Sequence, residues 1–595
     1  MCGVIACRTS EPAIDYLIAA LRRLEYRGYD SVGVAVRTVT GDIATVRTVG
    51  RIGALDKRVR EWAGPAFGSV GIGHTRWATH GTVTERNAHP HVDCTGRICV
   101  VHNGIIENAD KLRRALRTSG HLFTSAVDSE VICHLVEEQL QFGGDLLDAV
   151  EDALAAVEGS WALAVLEQTT GQLVVAANHS PLLVAHTVLG DFATSDIAAI
   201  ADWTERFRVL EDGDVVDLSG SGRWRNHGAD VAPQALTPCL MRGNDVELAG
   251  YSDYMAKEID EQPQAVARVL DELGGGIADG KLWSDLGLMP FDRLQVIGCG
   301  TSLNAGTVVG NFLRTVGGLP VMTTVGSESD DALLEPHTLT VAFSQSGETA
   351  DVLNALASRG LSQPPVLAIT NSAHSTLARR AEAVVTCAAG PEIGVAATKT
   401  FVCQIVAGVA VMISALVARR RLSESAAGQL VDALRRLPDQ LDTACTTAKC
   451  VVPSLVDGLM TASGFIFIAR GAGLPYAAEG ALKLKELTYQ WAEHYPAGEL
   501  KHGPLALVGT STPVVVIENA DRKLAGNVAE VMARGGQIIS IGGPGSTLPV
   551  VDDLMSLWGP LAAAVPLQIL ARQLALALGR DVDKPRNLAK SVTVD

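Results

Sequence analysis

Runs of consecutive apolar residues, each breaking into a loop of glycine and small hydroxyl side chains, fill the second half of the sequence and leave few folds open. Residues 294–297 lead into Gly298-Cys299-Gly300-Thr301-Ser302, residues 340–343 lead into Ser344-Gln345-Ser346-Gly347, and residues 365–369 form a third such run. A strand that is apolar at every position has both faces covered, which argues a parallel sheet with helices on either side. The rhythm restarts at residues 464–469, followed by Arg470-Gly471-Ala472-Gly473, a helix expected from about Tyr476 to Trp491, and strands at 514–517 and 537–541. We read this as a weak internal duplication: two doubly wound subdomains, residues 289–425 and 455–585, joined by a helical stretch around residues 423–442.

From Cys2 to about Pro238 the texture is different, strand-rich with interspersed helices. Residues 160–177 predict a hairpin, two apolar strands joined across Thr169-Thr170-Gly171. Ser219-Gly220-Ser221-Gly222 and the polar passage at 233–250 mark a domain junction. A chain of 595 residues is too long for one hydrophobic core. The expected organisation is a multidomain α/β and α+β chain: residues 2–240, a linker and helical lead-in at 241–288, the two subdomains, and a tail at 586–595.

With 47% hydrophobic and 19% charged residues the chain can bury real cores, so disorder is excluded. A net charge of −17 without a Lys/Arg stripe argues against a nucleic-acid partner, while a small anion can still be held by N–H groups and hydroxyls. The 11 cysteines show neither a Cys-x-x-Cys pair nor zinc-like spacing, so reduced thiols, no metal and a cytoplasmic location are expected. Residues 401–418 are nearly all apolar and precede Arg419-Arg420-Arg421, yet the run is shorter than the ~20 residues a bilayer needs and carries Gln404 and Ser414. A helix buried in a large α/β domain is expected there, and no membrane partner.

The chain opens Met-Cys-Gly-Val-Ile without a basic and apolar leader, so Cys2 is expected to become the N-terminus once Met1 is removed. Its α-amine, titrating near ~7.7–8.0 in model compounds, then serves as base for its own thiol. By itself a cysteine at position two is more often a buried small hydrophobe. The blocks Cys2-Gly3-Val4-Ile5, Arg27-Gly28-Tyr29-Asp30-Ser31, His74-Thr75-Arg76-Trp77-Ala78-Thr79-His80-Gly81 and His102-Asn103-Gly104 change that balance. Through them this half resembles the N-terminal-nucleophile glutamine amidotransferases. The resemblance implies an αββα sandwich with Cys2 at the start of a strand. It also implies that Arg76 and Asp128 clamp the carboxylate and ammonium of glutamine, that Asn103 and Gly104 form the oxyanion hole, typically worth ~3–4 kcal/mol per donor, and that Trp77 gates the released ammonia. His80 and His102 receive structural or positioning roles.

In the second half each strand-to-helix loop offers hydroxyls and unpaired N–H groups to an anion. A dinucleotide fingerprint needs a third glycine where Leu303 stands, and no Gly-Lys-Ser/Thr follows for a nucleotide P-loop, so no cofactor is expected. The loops at 298–302 and 344–349, the blocks at 479–486 and 498–504, and the terminal Pro585-Arg586-Asn587-Leu588-Ala589-Lys590-Ser591-Val592-Thr593 resemble the glucosamine-6-phosphate synthase family. By that resemblance Ser302, Ser344, Gln345, Ser346 and Thr349 hold the phosphate of fructose 6-phosphate and Thr301 contacts the sugar. His502, Glu486 and Lys590 open the ring, relay the proton and hold the ketone, with Lys483 beside Glu486. A homodimer is implied, and a tail ordered by substrate. Two positions depart from the family pattern: Ala397, where a serine is usual, and Asp253, where a histidine is usual. They leave room for a sibling amidotransferase acting on another sugar phosphate. A non-catalytic phosphosugar sensor is the third reading, and it predicts loss of Cys2, Glu486 or Lys590, all of which are present.

Overall fold

Alternate residues of the strand Gly3–Thr9 serve two different cores. Val4 and Ala6 join one apolar cluster while Ile5 and Cys7 join another, because successive side chains of a strand point to opposite faces. The computed structural model describes residues 2–78, 80–141, 143–219, 222–329, 335–357, 364–519, 521–550 and 556–592. Thr79, Gly220, Ser221 and Thr593, which belong to the motifs and junction above, lie outside the described residues.

Two compact units emerge, Met1–Glu247 with Ala589–Asp595, and Leu248–Leu588. In the first, the described strands form one sheet of eight and one of seven, with antiparallel pairing throughout. Val4, Ala6, Ile72, Val101 and Ala164 fill the space between the sheets. The helix Ala13–Leu24 covers the outer face of the larger sheet, and Glu130–Gln141 and Leu146–Leu154 cover that of the smaller one. The layers therefore run αββα, as the motifs implied. The expected hairpin is formed by Gly159–Glu167 and Leu173–Asn178, with Leu166 opposite Leu173.

The second unit carries two parallel five-stranded sheets among its described residues. One runs Val321–Val325, Arg293–Gly298, Thr338–Ser344, Val366–Thr370, Ala383–Thr386; the other runs Trp491–Pro496, Gly464–Ala469, Pro513–Ile517, Gln537–Gly542, Leu548–Pro549. In chain order both read 2-1-3-4-5, so the duplication suspected from the sequence is present in the topology. One boundary differs from expectation. The helix placed at 476–491 is Leu474–Thr488, because Tyr489 takes a left-handed φ of 64° and ends it, and Trp491 instead begins a strand beside Gly464–Ala469. The joining helices Glu424–Arg435 and Leu437–Val451 extend past the predicted stretch. The lead-in folds as Tyr254–Asp260, Gln262–Glu272 and Lys281–Asp285, and Met255, Val266 and Trp283 bury it in the unit's main core.

The apolar helix spans Lys399–Ala418. It is long and apolar enough to cross a membrane, with mean hydropathy 2.4, but 94% of its apolar window is buried inside the unit. Its polar residues have internal work: Ser414 Oγ accepts the Trp283 N–H at 3.0 Å, and Gln404 reaches Ser302.

Candidate active sites

Cys2 directly precedes a central strand, and pairing of Gly3 with Thr75 sets it beside the end of the strand Phe67–Arg76. The Trp77 N–H donates to Cys2 Sγ at 3.2 Å, and the thiol lies 3.4 Å from the Trp77 carbonyl. Burial pushes the thiol above its ordinary range, while the Trp77 amide and the Arg76 charge pull it back. The block around Gly28 buttresses this turn: a Cβ there would stand 2.6 Å from the Arg76 carbonyl carbon, and Asp30 Oδ2 accepts the Ala78 N–H at 2.9 Å.

The strand Ile98–Ile106 brings Asn103 and Gly104 to the same place. Asn103 Nδ2 donates to the Cys2 carbonyl at 2.9 Å, and its Oδ1 lies 3.1 Å from His74 Nε2. Burial holds the His74 imidazole at about 3, so it is neutral at working pH, and its Nε2–H is shared between Asn103 Oδ1 and the His102 carbonyl at 3.0 Å. Gly104 has φ 131°, and a Cβ would meet the Ser160 carbonyl oxygen at 2.1 Å, so only glycine fits. His102 is pinned between Ser129 Oγ at 2.8 Å and the Ser160 carbonyl at 3.2 Å, a structural role.

Arg76 is 2% exposed. Its Nη2 donates to the carbonyls of His80 and, at 3.3 Å, Gly81, while its Nη1 has no partner among the described residues. A buried guanidinium N–H without an acceptor is costly, and an incoming carboxylate is the group that would satisfy it in bidentate fashion. Asp128 is also buried; one oxygen accepts the Ile106 N–H at 2.8 Å, and its charge acts on Arg76. Trp77, half-buried, meets Tyr29 edge-on with ring centroids 5.4 Å apart.

In the second unit, the strands Arg293–Gly298 and Thr338–Ser344 are neighbours at the point where strand order reverses, the place where open α/β sheets bind ligands. After the first strand, the helix Gly300–Gly317 begins without a side-chain cap. Ser302 Oγ accepts from Gln404 Nε2 at 3.1 Å. After the second, Ser344 Oγ meets Thr349 Oγ1 at 2.9 Å and accepts the Gly347 N–H at 3.0 Å, while Ser346 Oγ accepts the Glu348 N–H at 3.1 Å. The Gln345 carbonyl accepts the Asn371 N–H at 3.1 Å. Gly347 is left-handed, and a Cβ would fall 1.9 Å from Ser375 Oγ. At the corresponding point of the second sheet stands an ion pair, Arg470 Nε to Asp521 Oδ2 at 3.0 Å.

Across from Thr301 stands the helix Leu474–Thr488. Thr301 Oγ1 donates to Glu479 Oε1 at 3.0 Å, Asn304 Nδ2 donates to Glu479 Oε2 at 2.8 Å, and Lys483 Nζ lies 3.5 Å from Glu479 and 2.6 Å from Glu486. Lys483 is 1% exposed, which rules out a solvent-facing helix pair. Burial would lower its pKa, but Glu486 and Glu479 outweigh that and hold the ammonium protonated. Burial pushes the Glu479 carboxyl up.

A family model described as a SIS domain matches residues 288–414 and 459–549, which contain the two sheets, and one described as a glutamine amidotransferase domain matches residues 74–202. The glutamine–fructose-6-phosphate aminotransferase (isomerizing) of Thermus thermophilus is 40% identical over 619 residues, covering 100% of both chains. A protein of the same name from Halobacterium salinarum is 41% identical over 611 residues, again covering 100% of both. The chain belongs to the glutamine–fructose-6-phosphate aminotransferase (isomerizing) family. The solved C-terminal domain of glucosamine-fructose-6-phosphate aminotransferase from Francisella tularensis matches with TM-score 0.53 and 31% identity, covering 57% of this chain and 100% of that one.

Within this aminotransferase framework, two site residues stand apart. His502 is exposed at the end of the short helix Ala497–His502, and among the described residues no hydrogen bond or ion pair joins it to Lys483 or Glu486. Lys590 is half-buried and belongs to the first compact unit, whereas the other sugar-site residues are in the second. Glu479, Asn304, Gln404 and His74 were missed as site residues. Glu479 sits in the quoted 479–486 block, four residues before Lys483, so helical spacing alone would have put it on the same face. The departure at Asp253 has a structural explanation: it caps the helix Tyr254–Asp260 through the Ala256 N–H at 2.8 Å and pairs with Arg572 Nε at 2.7 Å. Beside Ala397, Glu392 accepts the N–H groups of Thr398 and Thr400 at 2.9 and 3.0 Å, anchoring the start of the buried helix.

Proposed function

We propose that the chain moves the side-chain amide nitrogen of glutamine to fructose 6-phosphate and isomerises the product, yielding glucosamine 6-phosphate and glutamate. The observation that carries the reading is the pairing, on one chain, of a thiol beside a buried, unsatisfied guanidinium with an uncapped, hydroxyl-lined helix terminus beside a buried Lys–Glu pair. Arg76 and Asp128 bind the two charges of glutamine's α-carbon. The Cys2 α-amine, freed by removal of Met1, takes the thiol proton as sulfur attacks the amide carbon. The Asn103 side-chain amide and the Gly104 N–H receive the oxyanion. Ammonia leaves, and water then hydrolyses the thioester to glutamate.

In the second unit Ser302, Ser344, Gln345, Ser346 and Thr349 hold the phosphate, and Thr301 lies at the sugar. Ring opening by His502 exposes the ketone, which Lys590 holds as a Schiff base until ammonia displaces it. Glu486, its charge set by Lys483, moves a proton between the neighbouring carbons to give the aldose. Trp77, whose backbone flanks the thiol on both sides, gates ammonia leaving the glutamine site. The reading includes a homodimer in the cytoplasm, where the free cysteines stay reduced; sedimentation of the purified chain tests the dimer.

A coupled assay of glutamate and amino-sugar formation tests the function. Fructose 6-phosphate with glutamine should give both products one for one, and Cys2→Ala should give neither. Because Ala397 removes a hydroxyl next to the sugar-site segment, the assay is run with several ketose phosphates; preference for another one would move the chain to a sibling amidotransferase.

A further inference from the structure

Away from both sites, four side chains of the first unit converge on one point. Cys94 lies in the turn after the strand His91–Val92, His121 follows the helix Ala109–Thr118, and His134 and Glu137 share a face of Glu130–Gln141. Their ligand atoms all lie within 4.8 Å of one another. Cys94 Sγ is 3.5 Å from both His121 Nδ1 and His134 Nδ1, and Glu137 Oε2 is 2.9 Å from the first imidazole and 3.3 Å from the second. Tetrahedral zinc with one sulfur and three nitrogen or oxygen ligands has ligand-to-ligand edges of about 3.3–3.6 Å.

The surroundings argue for a cation over a plain hydrogen-bond network. The other nitrogen of each imidazole faces its own carboxylate: His121 Nε2 is 3.3 Å from Glu138, and His134 Nε2, fully buried, is 3.9 Å from Glu130. With a metal bound through Nδ1, each ring would present its Nε2–H on the side of a carboxylate, the outer arrangement seen around metal-bound histidine. The Leu122 N–H donates to Cys94 Sγ at 3.3 Å and the Cys94 N–H to Glu137 Oε2 at 3.3 Å, which fixes both ligand atoms in place. Two imidazole nitrogens, a sulfur and a carboxylate oxygen meeting at one point make a four-atom donor set for a cation.

We propose that Cys94, His121, His134 and Glu137 bind one Zn²⁺ as a closed structural site. One thiolate, two imidazoles and a carboxylate suit zinc better than a hard cation. The site ties together the turn at Cys94, the loop at His121 and the helix Glu130–Gln141. Between His121 and His134 the chain carries Asp128, and Glu130 further braces that segment by accepting the Thr124 and Ser125 N–H groups at 2.6 and 2.7 Å. Zinc thus fixes both ends of the segment that presents Asp128.

The test uses the full-length chain, stripped with a chelator and reloaded with Zn²⁺ or Co²⁺ alone. One equivalent per chain is expected, with Co²⁺ showing tetrahedral d–d bands and a thiolate charge-transfer band, and zinc raising the melting temperature. Cys94→Ser should lose the charge-transfer band and the thermal shift. Glu138→Gln, at a half-exposed position that does not threaten folding, should weaken zinc about 10–100-fold while keeping the band. Absence of a stoichiometric ion, an octahedral Co²⁺ spectrum, or zinc affinity unaltered in both variants overturns the proposal. These readouts do not involve turnover, so they stand independently of the proposed reaction.

Discussion

The buried Arg76 guanidinium with one nitrogen unsatisfied is the observation on which the proposed glutamine recognition rests. Arg76→Lys keeps the charge but loses the planar fork, so kcat/KM for glutamine should fall roughly 10- to 100-fold, as expected for the loss of a charge-assisted hydrogen bond. The effect should be absent when binding of sugar phosphate is measured directly. Arg76 stood out in the sequence because it sits in a dense motif. His74, the first residue of the same motif, was visible as a letter yet not as a device, since its contact with the Asn103 amide, 29 residues away, depends on how the strands pack. The same holds for Glu479, whose partners Thr301 and Asn304 lie 178 and 175 residues away.

Single elements carry chemistry of their own. In the hairpin, Glu167 closes the turn by accepting the Thr169 and Thr170 N–H groups at 2.9 and 2.6 Å and pairs with Arg97 at 2.7 Å. Although burial alone would raise its pKa, these donors hold the carboxyl at about 2, against an ordinary 4.5. A folded pKa below the unfolded one stabilises the protein when the group is ionised, so this contribution is present above pH 4.5 and fades as pH falls toward 2. Glu167→Gln should cost about 2–3 kcal/mol in denaturant titrations at pH 7, and the gap to wild type should close through that acid window. In the apolar helix, Gln404→Leu removes the donor to Ser302 and should raise KM for the sugar phosphate about five-fold, the equivalent of one ordinary hydrogen bond. KM for glutamine is expected to be unchanged. From the sequence, Gln404 argued against a membrane span; the fold shows why it is there.

For the whole molecule, the tail gives the sharpest prediction. Deleting residues 586–595 removes Lys590 and should abolish amino-sugar formation while leaving glutamine hydrolysis measurable; persistence of synthesis would refute the role given to Lys590. The amino-acid sequence by itself determined the parallel layers of the second half, since uninterrupted apolar strands demand a doubly covered parallel sheet and local pattern needs no knowledge of distant partners, while the αββα sandwich followed from the motif resemblance. It also determined the motif residues, whose spacing is local. Only the tertiary structure decided what stands at each of the two duplicated switch points: hydroxyls at one, the Arg470–Asp521 ion pair at the other. It alone assembled Cys94, His121, His134 and Glu137, which no short metal-binding spacing in the sequence brings together. The reason is the same in both cases. Charges and ligands act over a few ångströms of space, and chain separation says little about that distance until the sheets have paired.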